Sequence, residues 1–228
     1  MKENNDKEYC LEVWGNLACF TRPEFKVERM SYEIITPSAA RNIFQAIFWK
    51  PAIDWEITKI EVLNPIQWIN ILRNEVPVLA SSKKKQIFIE QKRTQRNNYI
   101  LKNVRYRIHA IQRYHSILNR DASAMNRTAG PDENPGKYNQ IFERRAKNGQ
   151  CIHQPYLGIR EYAAYFKLVD NDIQTPKPIN LTKDLGFMFF DWIWKNKDDQ
   201  HPGKSFFHAE MLNGIINIPA PGSKDILR

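Results

Sequence analysis

Cysteine is scarce in this chain of 228 residues: Cys10, Cys19 and Cys151 are its only thiols. Their number is odd and none stands in a C-x-x-C spacing, so neither a disulfide framework nor a zinc knuckle is implied. Long apolar runs are missing too. No stretch approaches the ~18–20 residues that a membrane-spanning helix needs. The opening Met1-Lys-Glu-Asn-Asn-Asp-Lys-Glu8 is polar with both signs of charge, unlike a secretion signal. There is no G-x-x-x-x-G-K-[ST], no G-x-S-x-G, no H-E-x-x-H and no well-spaced pair of metal-binding aspartates. Asp198-Asp199 with His201 reads as surface charge, and nothing calls for a metal or another cofactor. A 42% apolar and 26% charged composition excludes a disordered, coiled-coil or collagen-like chain. These features lead us to expect a soluble, reduced, cytoplasmic protein with no membrane contact.

What is present in excess is positive charge, a formal +9. It is unevenly spread: residues 1–170 hold 27 basic and 18 acidic side chains, whereas residues 171–228 hold 7 of each. Between Lys83 and Arg113 stand Lys83, Lys84, Lys85, Lys92, Arg93, Arg96, Lys102, Arg105, Arg107 and Arg113, with Glu90 as the only acid. Such a cluster repels itself unless water, salt or a polyanion relieves it, and a polyphosphate partner would release counterions on binding. A solvated basic loop is the plainer alternative. Within the cluster, Val104, Tyr106, Ile108 and Ala110 alternate with Arg105, Arg107 and His109, the period-2 pattern of a half-buried strand. A strand with Arg, Arg and His on its exposed face would make a flat phosphate-binding surface. His109 would titrate near neutral pH there, although a lone strand histidine is more often structural.

Strands are predicted over residues 9–20, 53–63, 98–111 and 159–169, with a long, partly mobile basic excursion over 65–97. Helix signals are stronger. Thr36 and Pro37 make an N-cap and N1 pair ahead of Ala40, Ile43, Phe44, Ile47 and Phe48. Asn134 and Pro135 do the same ahead of Tyr138, Ile141, Phe142 and Ala146, with Gly149 as the stop. The resulting order is the βαββαβ signature of an α+β, ferredoxin-like or RNA-recognition-type domain over residues 1–170. Residues 171–228 are expected to add a β-hairpin extension from strands near 186–194 and 205–218. The run Phe187-Met-Phe-Phe-Asp-Trp-Ile-Trp194 is core, a partner-facing hairpin or a base-stacking surface. Lys137 sits in the first turn of the second helix, where the free amides favour an anion and a cation makes sense if a phosphate lies between them. It could equally point to solvent, and Tyr138 could be packing alone.

Phe20-Thr-Arg-Pro-Glu-Phe-Lys-Val-Glu-Arg-Met-Ser-Tyr32, Ile35-Thr-Pro-Ser-Ala-Ala-Arg41, Ala46-Ile-Phe-Trp-Lys-Pro51, Asn134-Pro-Gly-Lys137, Phe142-Glu-Arg-Arg145 and Gly149-Gln-Cys-Ile-His-Gln-Pro-Tyr-Leu-Gly-Ile-Arg-Glu161 occur in one order. Together they resemble the Cas-five subunit family of type I-C CRISPR systems, within the RAMP superfamily, over roughly 9–75 and 98–170. The resemblance implies an endoribonuclease that cuts repeat hairpins of CRISPR precursor RNA without a metal. The ribose 2′-hydroxyl attacks the adjacent phosphorus and leaves a 2′,3′-cyclic phosphate. It further implies retention of the mature crRNA by its 5′ handle, alongside other subunits of the interference complex. The family's Lys falls on Lys137; the His that follows it falls on Tyr138, and the family's catalytic Tyr falls on Phe48. Phe48 cannot carry a proton, so His109 is the first substitute as general base, ahead of His115 and His153. Arg22, Lys83, Lys84, Lys85, Arg93, Arg96, Arg105 and Arg107 are the expected RNA contacts. The competing reading is a subunit that binds the 5′ handle without cutting.

Overall fold

The computed structural model describes residues 6–79, 81, 86–116, 133–169, 176–196 and 199–228. Its spine is one 21-residue strand, β4 (Thr94–Tyr114). The C-terminal part of β4 lies between β1 (Lys7–Ala18) and β2 (Ile53–Val62), antiparallel to both, with Val13 and Val62 opposite Tyr106 and Leu11 and Ile60 opposite Ile108. β5 (Tyr165–Val169) pairs with the outer edge of β1. The short β8 (Ile215–Asn217) pairs with the outer edge of β2, so the sheet order is β5-β1-β4-β2-β8. The N-terminal part of β4 runs on with β3 (Gln67–Glu75) as a two-stranded arm, and α2 (Ile89–Lys92) precedes it. β6 (Lys183–Ile193), β7 (Gly203–Met211) and β9 (Ile226–Leu227) form a second antiparallel sheet.

Two helices cover one face of the larger sheet. α1 (Pro37–Ile47) starts where the Thr36 side chain accepts from the Ala39 amide, and it buries Ala40, Ile43, Phe44 and Ile47. α3 (Pro135–Lys147) starts at Asn134, whose side chain accepts from the Gly136 amide, and it buries Tyr138, Phe142 and Ala146. Both follow from capping and a 3.6-residue apolar stripe. The layers meet in an aromatic cluster. Phe142 lies 4.7 Å from Tyr9, 4.5 Å from Trp55 and 5.8 Å from Phe44, ring centre to ring centre. Met188, Phe207, Ala209 and Met211 of the second sheet belong to the same continuous core. Among the described residues no helix is long and apolar enough to cross a membrane.

Several boundaries differ from expectation. β1 and β4 extend beyond 9–20 and 98–111, at the N-terminal end and at both ends respectively, and β5 begins at Tyr165, six residues late. The 65–97 excursion contains β3 and the start of β4. Five of the nine β3 residues are exposed and the rest only partly buried, and the run Gln67-Trp-Ile-Asn-Ile-Leu-Arg-Asn-Glu75 does not alternate apolar with polar residues, so no period-2 signal marks a strand. The strand expected over 205–218 is two, separated by Asn213-Gly214, both with positive φ (50° and 76°). The Leu212 and Ile215 amides and carbonyls close this two-residue turn, for which Asn-Gly is the preferred sequence. The aromatic run 187–194 is mixed: Met188 and Phe189 are core, whereas Phe187 and Trp194 are exposed.

Candidate active site

Position along β4 decides which side chains can meet. Tyr106, Ile108 and Ala110 face the helices and are buried, so Arg105, Arg107, His109 and Arg113 face the other way. That second face is where a cationic surface was expected, and the structure corrects this. β1 and β2 bring a carboxylate to each arginine. Arg105 donates to Glu12 Oε1 through Nε (2.9 Å), Arg107 to Glu61 Oε2 (2.8 Å), and Arg113 to Glu56 and Asp6 (2.6 and 2.7 Å). Arg107 is 5% exposed and also donates to the Pro176 carbonyl. Glu61 is the hub, within 2.9 Å of both Lys59 Nζ and His109 Nε2. Burial pushes the Glu61 carboxyl up, but hydrogen bonds from His109, Lys59 and Arg107 outweigh it and hold the pKa at about 2. The face is therefore an internally neutralised ion-pair network and not a row of free cations.

Phe48 and Tyr138 meet on the helical side, and Lys137 precedes Tyr138 on α3. Phe48 ends α1 in extended conformation, its amide donating to Phe44 and its carbonyl accepting from Trp55 Nε1 (3.0 Å). Its ring is 5.9 Å from that of Tyr138, and the Arg145 guanidinium stands 5.4 Å above it while donating to the Ile47 carbonyl. Tyr138 is buried, and its hydroxyl donates to Glu133 Oε1 (2.7 Å). Lys137, one residue earlier, is exposed on the first turn of α3 with no carboxylate partner among the described residues. The Asn134 cap holds this turn in place. Asn134→Ala is expected to destabilise the protein by about 1 kcal/mol in a urea titration.

His109 is not brought to this cluster: the thickness of the sheet separates it from Lys137 and Tyr138, and its Nε2 is held by Glu61. His115 approaches Asp54 Oδ2 (2.9 Å) instead. His153 lies on the exposed loop after α3, its amide pointing to the Ala46 carbonyl at the end of α1. Arg22 is stacked 4.7 Å over the Tyr32 ring, with Glu24 3.8 Å away. Arg93 and Arg96, on the β3–β4 arm, have no carboxylate partner among the described residues, and Lys83, Lys84 and Lys85 lie outside those residues. The same arm carries a stacked Trp68–Tyr99 pair, 4.6 Å apart and 3° from parallel, which sequence reasoning missed. Its signal was a Trp and a Tyr paired only through the unrecognised β3. Among the described residues no cluster of three or more His, Cys, Asp or Glu side chains is placed to hold a metal ion.

Comparison with known proteins places this arrangement among CRISPR-associated proteins. Residues 8–219 match the family described as CRISPR-associated protein (Cas_Cas5), in its Cas5d form. The chain is 41% identical to the CRISPR pre-crRNA endoribonuclease Cas5d of Mannheimia succiniciproducens, with 96% of this chain and 97% of the relative covered. It is 38% identical to the Thermus thermophilus protein of the same name, covering 96% and 94%. Among solved structures it is similar in fold to a CRISPR-associated protein (TM-score 0.68, 21% identity, 97% of each chain). It is also similar to a chain of a CRISPR RNA-guided surveillance complex (TM-score 0.53, 10% identity, 94% and 90% covered). The chain belongs to the Cas5 family.

Proposed function

We propose that this protein is an endoribonuclease that cuts CRISPR precursor RNA at its repeat hairpins and remains on the mature crRNA as a subunit of a type I-C interference complex. The observation that carries this reading is the packing of Phe48 against Tyr138, with Lys137 exposed one residue earlier on the first turn of α3, in a Cas5 chain whose relatives are named for that activity. The sheet order β5-β1-β4-β2 with α1 and α3 on one face supports the ferredoxin-like topology of residues 1–170, with 171–228 as a C-terminal extension.

The reaction is attack of the ribose 2′-hydroxyl on the adjacent phosphorus, giving a 2′,3′-cyclic phosphate and a free 5′-hydroxyl. Lys137, with no carboxylate partner among the described residues, stands at the amide end of α3 and stabilises the crowded phosphorane by charge and hydrogen bonding. The Tyr138 hydroxyl, held by Glu133, forms a two-residue relay through which a proton can pass. Phe48 packs and excludes water at the position of the family's tyrosine. Arg93 and Arg96 on the arm bind RNA phosphates, joined by Lys83, Lys84 and Lys85. Arg105 and Arg107 support the sheet through Glu12 and Glu61. His109→Gln accordingly is expected to spare cleavage, measured in single turnover, the roughly 10²–10⁴-fold loss that follows removal of a general base.

The second reading, a crRNA 5′-handle-binding subunit that does not cut, is favoured by one observation: Phe48 and Tyr138 are both buried against each other. End-labelled precursor RNA carrying two repeats separates the readings. One discrete cut per repeat is the expected result. Tight binding with no cut over hours supports the second reading and contradicts the first.

A further inference from the structure

A groove beside the active site has no part in this chemistry. It lies between the second half of α1 and the loop after α3, encloses about 630 Å³, and is lined by Asn42, Gln45, His153, Gln154, Tyr156 and Arg160. That volume suits a compact ligand. Four of the six residues belong to the stretch Gly149–Glu161, one of the motifs singled out in the sequence.

Most of its polar lining is unpaired: among the described residues, the side chains of Asn42, Gln45, His153, Tyr156 and Arg160 make no hydrogen bond or ion pair. Neighbouring arginines are satisfied: Arg41 by Asp191, Arg73 by Glu161. The acid next to Arg160 in sequence is thus already engaged, and no carboxylate lines the groove. The wall is also fixed before any ligand arrives. The Ile152 amide donates to the Ala46 carbonyl (2.7 Å), Leu157 to Tyr162 (2.7 Å), Ala164 to Pro155 (2.8 Å) and Gln154 Nε2 to the Ala164 carbonyl (2.9 Å). Gly158 turns the loop at φ +85°, where a Cβ would come within 2.0 Å of the Cys19 carbonyl oxygen. Rigid walls with unpaired polar side chains lower the ordering cost of binding.

We propose that this groove holds one unpaired nucleotide of the RNA substrate, an inference that rests on the RNA-processing reading above. Asn42 and Gln45, three residues apart on one helix face, offer donors and acceptors to a base edge. Tyr156 offers a ring for stacking, Arg160 offers cationic contact to the phosphate, and the His153 ring offers a hydrogen bond. The groove reaches Ala46, two residues before Phe48, so the held nucleotide sets which phosphate is presented for cleavage.

The test measures repeat-RNA binding by fluorescence anisotropy over a salt series, beside cleavage by the same preparations. Arg160→Ala weakens binding and lowers the slope of log K against log salt by about one, while Arg160→Lys keeps the slope. The Asn42→Ala/Gln45→Ala double variant weakens binding about tenfold with the slope unchanged. That penalty vanishes on an RNA made abasic at one particular nucleotide. These side chains are on the surface, and unchanged melting temperatures establish that the variants are folded. Wild-type affinity and slope in both variants would overturn the proposal, as would a penalty that persists with every abasic RNA. Wild-type protein that binds but never cuts refutes the cleavage reading alone; variants that bind like a cutting wild type refute the groove alone.

Discussion

Lys137→Ala lowers the single-turnover rate of hairpin cleavage by about 10²–10³-fold, the usual cost of removing one preorganised donor to transition-state charge. Binding of the uncut hairpin falls far less. The asymmetry follows from geometry: Lys137 stands at the free-amide end of α3, where nothing in the described structure neutralises it. The scissile phosphate already carries one negative charge and gains more as the phosphorane forms, so the contact with Lys137 strengthens in the transition state beyond its ground-state value. A Lys137→Arg variant is expected to recover part of the rate, since charge returns but the compact ammonium does not. Equal losses in rate and affinity would make Lys137 an ordinary phosphate-binding residue.

Glu61→Gln destabilises the fold by about 3–5 kcal/mol, as expected when a buried pair loses one member. Arg107, with its side chain 6% exposed, would keep its charge without a counter-charge, and Lys59 and His109 would lose the same partner. For a chain of this length the melting temperature falls by on the order of 10 °C. The pH dependence has a definite sign. Glu61 titrates at about 2 in the fold against an ordinary carboxyl value of 4.5, so its contribution is fully present above pH 4.5 and is lost as pH falls toward 2. Wild type and variant therefore converge in stability across that window. An unfolding series whose difference between the two is flat from pH 5 to about 2 would contradict the network's role.

Local signals in the sequence carried the helices well. Thr36-Pro37 and Asn134-Pro135 marked both starts, and the apolar stripes at Ala40–Ile47 and Tyr138–Ala146 are the faces the structure buries. The alternation of residues 104–110 was legible too, and its polar face does carry Arg105, Arg107 and His109. What covers that face was not. Glu12 and Glu61 arrive from strands 93 and 46 residues away from their arginines, so no window of sequence contains the pairs. The same non-locality misplaced His109: an imidazole of suitable chemistry is of no use on the wrong side of a sheet, and parity along β4 shows its side only once α3 is docked. Lys137, Tyr138 and Phe48 were assembled through resemblance; composition and spacing gave no distance between them. The Asn213-Gly214 turn, by contrast, rests on two adjacent residues and is a wholly local signal.

We propose that this chain cleaves RNA through the ribose 2′-hydroxyl at the Lys137 site. The most direct measurement uses end-labelled repeat hairpin with excess EDTA, beside an otherwise identical hairpin carrying a single 2′-deoxy nucleotide at the cut. The expected result is one cut that survives EDTA, a 2′,3′-cyclic phosphate on the upstream product, and no cut in the deoxy RNA. Cleavage of the deoxy hairpin at the same position would contradict it.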